Sequence, residues 1–158
     1  MNEKLSDWAN VAQIVSGIAV VITLLFLILG IRENTAVTRA TAYDRNMDSL
    51  NYVRNVLVTD PEMLEAWQNF TKDPSTLEES EYLRVQFFMQ MLFGVYEKSY
   101  FAIRYDLLGE SEWSRYEAQI CIQLAYVAAS PRALANLRTV VTPEFMKYME
   151  SECHIGSQ

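Results

Sequence analysis

Residues 11–31 read VAQIVSGIAVVITLLFLILGI and contain no charged side chain over 21 positions. As an α-helix this stretch would be about 31 Å long, which matches the hydrocarbon core of a bilayer. Trp8 lies just before it, where an indole ring prefers the membrane interface. We therefore predict one transmembrane helix over residues 11–31, preceded by a short N-terminal tail over residues 1–10.

Two other interpretations of this stretch are weaker. A buried helix of a soluble protein rarely runs so long without a charge. A cleaved signal peptide would need a basic start, but the first ten residues hold a single lysine, Lys4, and two acids. We therefore expect the helix to be retained as an anchor.

The basic residues beside the apolar stretch predict its orientation. Lys4 precedes it, whereas Arg32, Arg39 and Arg45 follow it. Because basic flanks stay on the cytoplasmic side of a membrane, the C-terminal domain is predicted to lie in the cytoplasm.

Composition and rare residues exclude several classes of function. The formal net charge of −7 argues against nucleic-acid binding, which needs a basic face. Cys121 and Cys153 form no CxxC pair, so a zinc site is not expected; free thiols are favoured, and one disulfide between them stays open. His154, the only histidine, lies near the end of the chain, so no Cys/His or Ser/His/Asp arrangement is feasible. The sequence therefore predicts no catalytic residue, no metal and no cofactor.

The rest of the chain predicts an all-α fold, in which the transmembrane helix continues into a cytoplasmic helical bundle over residues 32–152. A short C-terminal tail covers residues 153–158. Residue pairs of a capping side chain followed by proline are typical of helix starts; they are Asp60–Pro61, Ser130–Pro131 and Thr142–Pro143. Gly109 is expected to end a helix and Ser111 to cap the next one. The helices are expected over about residues 7–58, 61–70, 77–108, 111–129, 131–140 and 143–152.

The first and third of these helices carry the strongest expectations. Residues 32–59 contain neither glycine nor proline, so the anchor and the first helix of the domain are predicted to be continuous. Residues 87–96 read FFMQMLFGVY, which is too short to span a bilayer and predicts a core helix. Its buried residues are expected to be Phe88, Met91, Leu92 and Val95.

An apolar series on the first helix has heptad spacing and is typical of a helix–helix seam. The seam comprises Ala36, Ala40, Tyr43, Met47, Leu50 and Leu57, with Arg54 interrupting it. Either this face packs on its own domain, which we favour, or it joins a second copy of the chain.

Glu97 follows the apolar run and is flanked by Tyr96 and Tyr100. An acid there is expected to be partly buried, and we favour an ion pair with an arginine over contact with a ligand. The arginines considered are Arg104, Arg132 and Arg138.

Several stretches carry a resemblance to known sequences. They are the apolar stretch followed by IRENT at 31–35, Asp60–Pro61–Glu62 with Trp67, Tyr96–Glu97 with Tyr100, Ser130–Pro131–Arg132, and Thr142–Pro143–Glu144–Phe145. On these residues the chain resembles a family of uncharacterised single-pass bacterial membrane proteins. The resemblance implies this architecture and a bacterial source, and it implies no activity.

These features lead to two hypotheses of function. The first is an interaction module of the bacterial inner membrane, with no chemistry of its own, that self-associates or docks another membrane protein. Its partners would be the lipid bilayer and a second copy or another membrane protein, with no nucleic acid. The alternative is a sensor that binds a small or apolar ligand in an aromatic-lined pocket of the helical domain.

Overall fold

The computed structural model describes the backbone of residues 2–155 and the side chains of Trp8 and residues 13–155. Within this part of the chain the fold is all-helical, as predicted. The helices are α1 (Asn2–Thr59), α2 (Pro61–Lys72), α3 (Glu79–Arg104), α4 (Glu110–Ala128), α5 (Pro131–Val140) and α6 (Pro143–Glu152), with a 3-10 turn at Pro74–Thr76. The chain forms two compact units, Met1–Ala40 and Thr41–Gln158.

The first unit consists of the N-terminal part of α1. The predicted tail over residues 1–10 is helical from Asn2 onward. From Gln13 to Ile31 every described side chain is exposed, including Phe26 at 71%. Of the helices in the described part of the chain, one, α1, is long and apolar enough to cross a membrane.

The predicted continuity of α1 is confirmed, because no break falls between Asn2 and Thr59. The β-branched Thr35 and Thr38 are accommodated by back-bonding to their own helix. Their hydroxyls donate to the carbonyl oxygens of Ile31 and Asn34 at 2.9 and 2.8 Å.

In the second unit the helix starts that the proline pairs predicted are confirmed. The side chain of Asp60 accepts a hydrogen bond from the Met63 N–H at 3.1 Å. Ser130 and Thr142 cap α5 and α6 in the same way. In each case proline occupies the first turn, where its missing N–H costs nothing.

The predicted end of α3 is wrong. The helix stops at Arg104, and Asp106 takes a left-handed conformation with φ 58°. The Leu107 N–H then bonds the Ala102 carbonyl at 2.8 Å, which closes the helix end without a glycine. Gly109 is instead the residue before α4, so it is not the helix stop and Ser111 is not the cap.

The core of the second unit is built around α3, which packs against α2, α4 and α5. Phe88, Leu92 and Val95 are buried as predicted, and the Phe88 ring meets Trp67 edge to face at 5.1 Å. Met91 is half-buried, contrary to prediction. It lies beside an exposed strip of α3, on which Phe87 is 62% exposed, so α3 is not surrounded on all sides.

A disulfide joins α4 to the residue that ends α6. The Cys121 and Cys153 sulfurs are 2.02 Å apart and their Cα atoms 5.1 Å apart. The preference for free thiols was therefore wrong, because a separation of 32 residues in sequence carries no information about distance across the α4–α6 contact.

The predicted tail is also ordered as far as Ile155, whose N–H bonds the Glu150 carbonyl at 3.2 Å. Residues 156–158 lie outside the described part of the chain.

Candidate functional site

The predicted seam on α1 divides into two parts. Ala36 and Ala40, in the first unit, are exposed. In the second unit Leu50 is buried, and three further seam residues are half-buried: Tyr43, Met47 and Leu57. The Tyr116 hydroxyl of α4 lies 3.4 Å from the Met47 sulfur, so this part of the seam faces its own unit.

The buried face of α1 is rotated slightly from the predicted seam. Its most buried members are Asn46, Leu50 and Val53, which follow the same spacing of four and three. Asn46 is 1% exposed, and neither its amide nitrogen nor its amide oxygen has a hydrogen-bond partner within the described structure. Sequence reasoning missed this position because an asparagine does not register in an apolar pattern.

Two of the cavities along α1 share lining residues. The first has a volume of about 220 Å³ and is bounded by α1 and α4, with Tyr43 and Met47 opposite Arg115 and Tyr116. The second has a volume of about 250 Å³ and is bounded by α1, α2, α3 and α4. Their linings share three residues: Leu50, Arg54 and Gln119.

The second cavity is predominantly apolar and aromatic. Its aromatic side is formed by Trp67 of α2 and by Phe88 and Tyr96 of α3, and Leu92 of α3 lies beside them. Gln123 of α4 also lines it, and the buried side-chain oxygen of Gln123 has no hydrogen-bond partner in the described structure. A buried carbonyl oxygen without a donor is costly, so this polar atom of the wall is not satisfied by its own unit within the described structure.

Arg54, which interrupts the apolar seam in the sequence, supplies positive charge between the two cavities. Burial raises the pKa of Tyr96 to about 12, and the Arg54 charge acts in the opposite direction. Burial likewise raises the pKa of Tyr116, again opposed by Arg54. The described ion pairs use other arginines: Arg84, Arg104, Arg132 and Arg138. The guanidinium of Arg54 is therefore available to an anion at the cavity wall.

The expected ion pair of Glu97 is wrong. Its carboxylate accepts a hydrogen bond of 2.7 Å from the Thr142 N–H, just before α6. The three candidate arginines pair with other acids, at 2.5, 2.5 and 2.7 Å: Arg104 with Glu144, Arg132 with Glu79 and Arg138 with Glu150. Glu97 therefore helps to fix the start of α6, where a negative charge favours the helix dipole.

Tyr96 and Tyr100, predicted beside Glu97, point into different surroundings. Tyr96 lines the second cavity. Tyr100 instead belongs to an aromatic cluster that holds α6, with its ring 5.3 Å from Phe145 and 4.8 Å from Tyr148. The polar atoms of this cluster are satisfied, since Trp113 donates to the Tyr148 hydroxyl at 3.0 Å and that hydroxyl donates to Glu117.

Comparison with known proteins adds no family. Neither a protein-family model, nor a curated protein, nor a solved structure matches the chain. Among the described side chains, no three His, Cys, Asp or Glu residues come together as metal ligands would. The candidate site comprises the two cavities and Arg54, which lines both.

Proposed function

We propose that the protein is a membrane-anchored helical module that works by contact with a second copy of itself. The observation that carries the proposal is the exposed face of α1. An apolar segment, exposed along its whole described length, runs without a break into the small exposed residues Ala36 and Ala40. A helical span without charged groups associates through close packing, which small side chains permit.

The contact between copies is confined to the part of α1 before Tyr43. Beyond that point the same stripe of side chains is used by its own unit, as the half-buried Tyr43 and Met47 show. Ala36 and Ala40 lie one helical turn apart, so they present a single face to a neighbour. The opposite face of the helix is marked by Thr38, whose hydroxyl bonds its own backbone.

We also propose that the anchor lies in a bacterial inner membrane with the second unit in the cytoplasm. Arg32, Arg39 and Arg45 support this orientation, because flanking basic residues act while the chain is inserted. The Cys121–Cys153 disulfide argues the other way, since disulfides are rare in a reducing cytosol. We give the arginines more weight because they act while the chain is inserted, before folding of the second unit brings Cys121 and Cys153 together.

Cross-linking of single cysteines tests the self-association. The full chain is reconstituted in lipid nanodiscs with the native disulfide intact, so that only the introduced thiol reacts with a short bis-maleimide. Ala36→Cys and Ala40→Cys are expected to give covalent dimers, whereas the matched control Thr38→Cys is expected to give far fewer. Equal cross-linking at positions 36 and 38, or none at any position, would reject the proposed face.

Ligand binding by the second unit is a second candidate, favoured by the two cavities beside Arg54. It is compatible with self-association, because the cavities lie in the second unit and Ala36 and Ala40 in the first. Since α1 contributes Leu50 and Arg54 to the cavity walls, an occupant would contact the same helix that carries the anchor.

A further inference from the structure

The volumes and the shared lining residues of the two cavities favour a single binding site. Neither volume, about 220 and about 250 Å³, reaches the roughly 300–1,000 Å³ of typical small-molecule sites, whereas the two together do. Leu50, Arg54 and Gln119 line both, so the two cavities lie side by side. An occupant that extends through both would therefore pass the polar side chains of Arg54 and Gln119.

The lining separates into an apolar end and a charged end. Trp67, Phe88 and Leu92 line the second cavity, and Phe88 and Leu92 are themselves buried. The first cavity carries two cations, Arg54 and Arg115, against one anion, Glu112. This cationic excess is local, because the whole chain has a net charge of −7. A molecule with an apolar chain and an anionic head matches both ends.

We propose that the joined cavities bind a single-chain amphiphile with a carboxylate head, of the fatty-acid class. Its head lies against Arg54, whose planar guanidinium presents paired donors that match a carboxylate. Its alkyl chain lies in the second cavity against Trp67 and Phe88. The inference specifies the ligand-binding candidate above and does not depend on self-association.

The site is placed where such a molecule would influence the anchor helix. Leu50 and Arg54 belong to α1, while Gln119 belongs to α4 and Trp67 to α2. Occupancy therefore adds contacts that tie α1 to the other helices of its unit. The supply of ligand is at hand, because a membrane-anchored chain is adjacent to a reservoir of amphiphiles.

Quenching of Trp67 by a brominated fatty acid tests the site directly. The full chain carrying Trp8→Phe, which removes the tryptophan nearest the bilayer, is placed in phosphatidylcholine nanodiscs and titrated with 11-bromoundecanoate. Saturable quenching is expected, and it should disappear when Trp67→Phe is added. Trp113, which lines neither cavity, serves as the internal reference.

The head-group contact is tested by charge. Arg54→Gln is expected to weaken the apparent affinity about tenfold or more, as expected for loss of a charged hydrogen bond. Arg45→Gln, on the same helix but outside both cavities, is the matched control and should leave the affinity unchanged. The methyl ester, which has no charge, should bind the unsubstituted Arg54 protein no more tightly than the acid binds the Arg54→Gln variant.

The source of the ligand is distinguished by changing the lipid. If nanodiscs of phosphatidylglycerol weaken the binding of the brominated acid, anionic lipid head groups occupy the same Arg54 site; if they do not, free fatty acid is the occupant. The proposal is overturned if quenching persists without Trp67, if Arg54→Gln leaves the affinity unchanged, or if the ester binds as well as the acid. Because the ester needs no variant, this arm is decisive even if Arg54→Gln perturbs folding. A failure of the Ala36 cross-linking would leave all of these results intact.

Discussion

Reduction of the Cys121–Cys153 disulfide is expected to lower the free energy of unfolding of the second unit substantially. The bond closes a loop with a sequence separation of 32 residues. The chain entropy released in the unfolded state by opening such a loop corresponds to about 3.7 kcal/mol at 25 °C. Because small domains are stable by only roughly 5–15 kcal/mol, this loss is a large share of the total.

The folded state should nevertheless survive reduction. The side chains that seat α6, including Phe145 and Met149, are fully buried and do not depend on the bond. The aromatic cluster adds a direct contact, the 3.0 Å hydrogen bond from Trp113 to the Tyr148 hydroxyl. We therefore expect a reduced protein with unchanged helix content and a lower urea midpoint.

The measurement is urea unfolding of the full chain in nanodiscs, with and without dithiothreitol. In a chain that carries Trp8→Phe and Trp67→Phe, fluorescence of Trp113 reports on the docking of α6, because its indole is hydrogen-bonded to that helix. The double variant Cys121→Ser, Cys153→Ser should behave like the reduced protein and should not respond to dithiothreitol. A difference below about 1 kcal/mol between oxidised and reduced protein would refute the loop-entropy reasoning.

Three further predictions address the core, the buried amide and the orientation. Phe88→Ala should lower the free energy of unfolding by roughly 3–5 kcal/mol, because it leaves a cavity beside Trp67. A loss under about 1 kcal/mol would show that Phe88 does not lie in the core. Asn46→Leu should raise the urea midpoint, since it removes a buried amide whose partners are missing; a lower midpoint would show that the amide is satisfied. A reporter fused to the C-terminus should be active only in the cytoplasm; activity in the periplasm would reverse the orientation.

The helix boundaries show which features can be predicted from the sequence. Asp60, Ser130 and Thr142 were identified as caps because each acts on an N–H three residues away. The predicted end of α3 was wrong, because the helix stops at Arg104. A left-handed residue was expected to be glycine, and the structure uses Asp106, a short polar side chain that also tolerates this conformation.

The features of the candidate site were harder to predict because their partners are far apart in sequence. Glu97 was expected to pair with an arginine, yet it bonds a backbone N–H 45 residues later. Arg54 interrupts the apolar seam in the sequence, and the packing of α1 on α4 places it in the wall of both cavities. Asn46 carried no apolar signal, although it is among the most buried residues of α1.

The sequence by itself determined the apolar segment, the unbroken first helix and the starts of the helices that follow proline pairs. These are local properties, because hydropathy, capping and the fixed φ of proline act within a few residues of the chain. The tertiary structure alone decided which face of α1 is buried, that Cys121 and Cys153 are bonded, and where Arg54 lies. Those outcomes depend on how whole helices cross and rotate against one another, and a rotation of one residue, about 100°, exchanges a buried side chain for an exposed one.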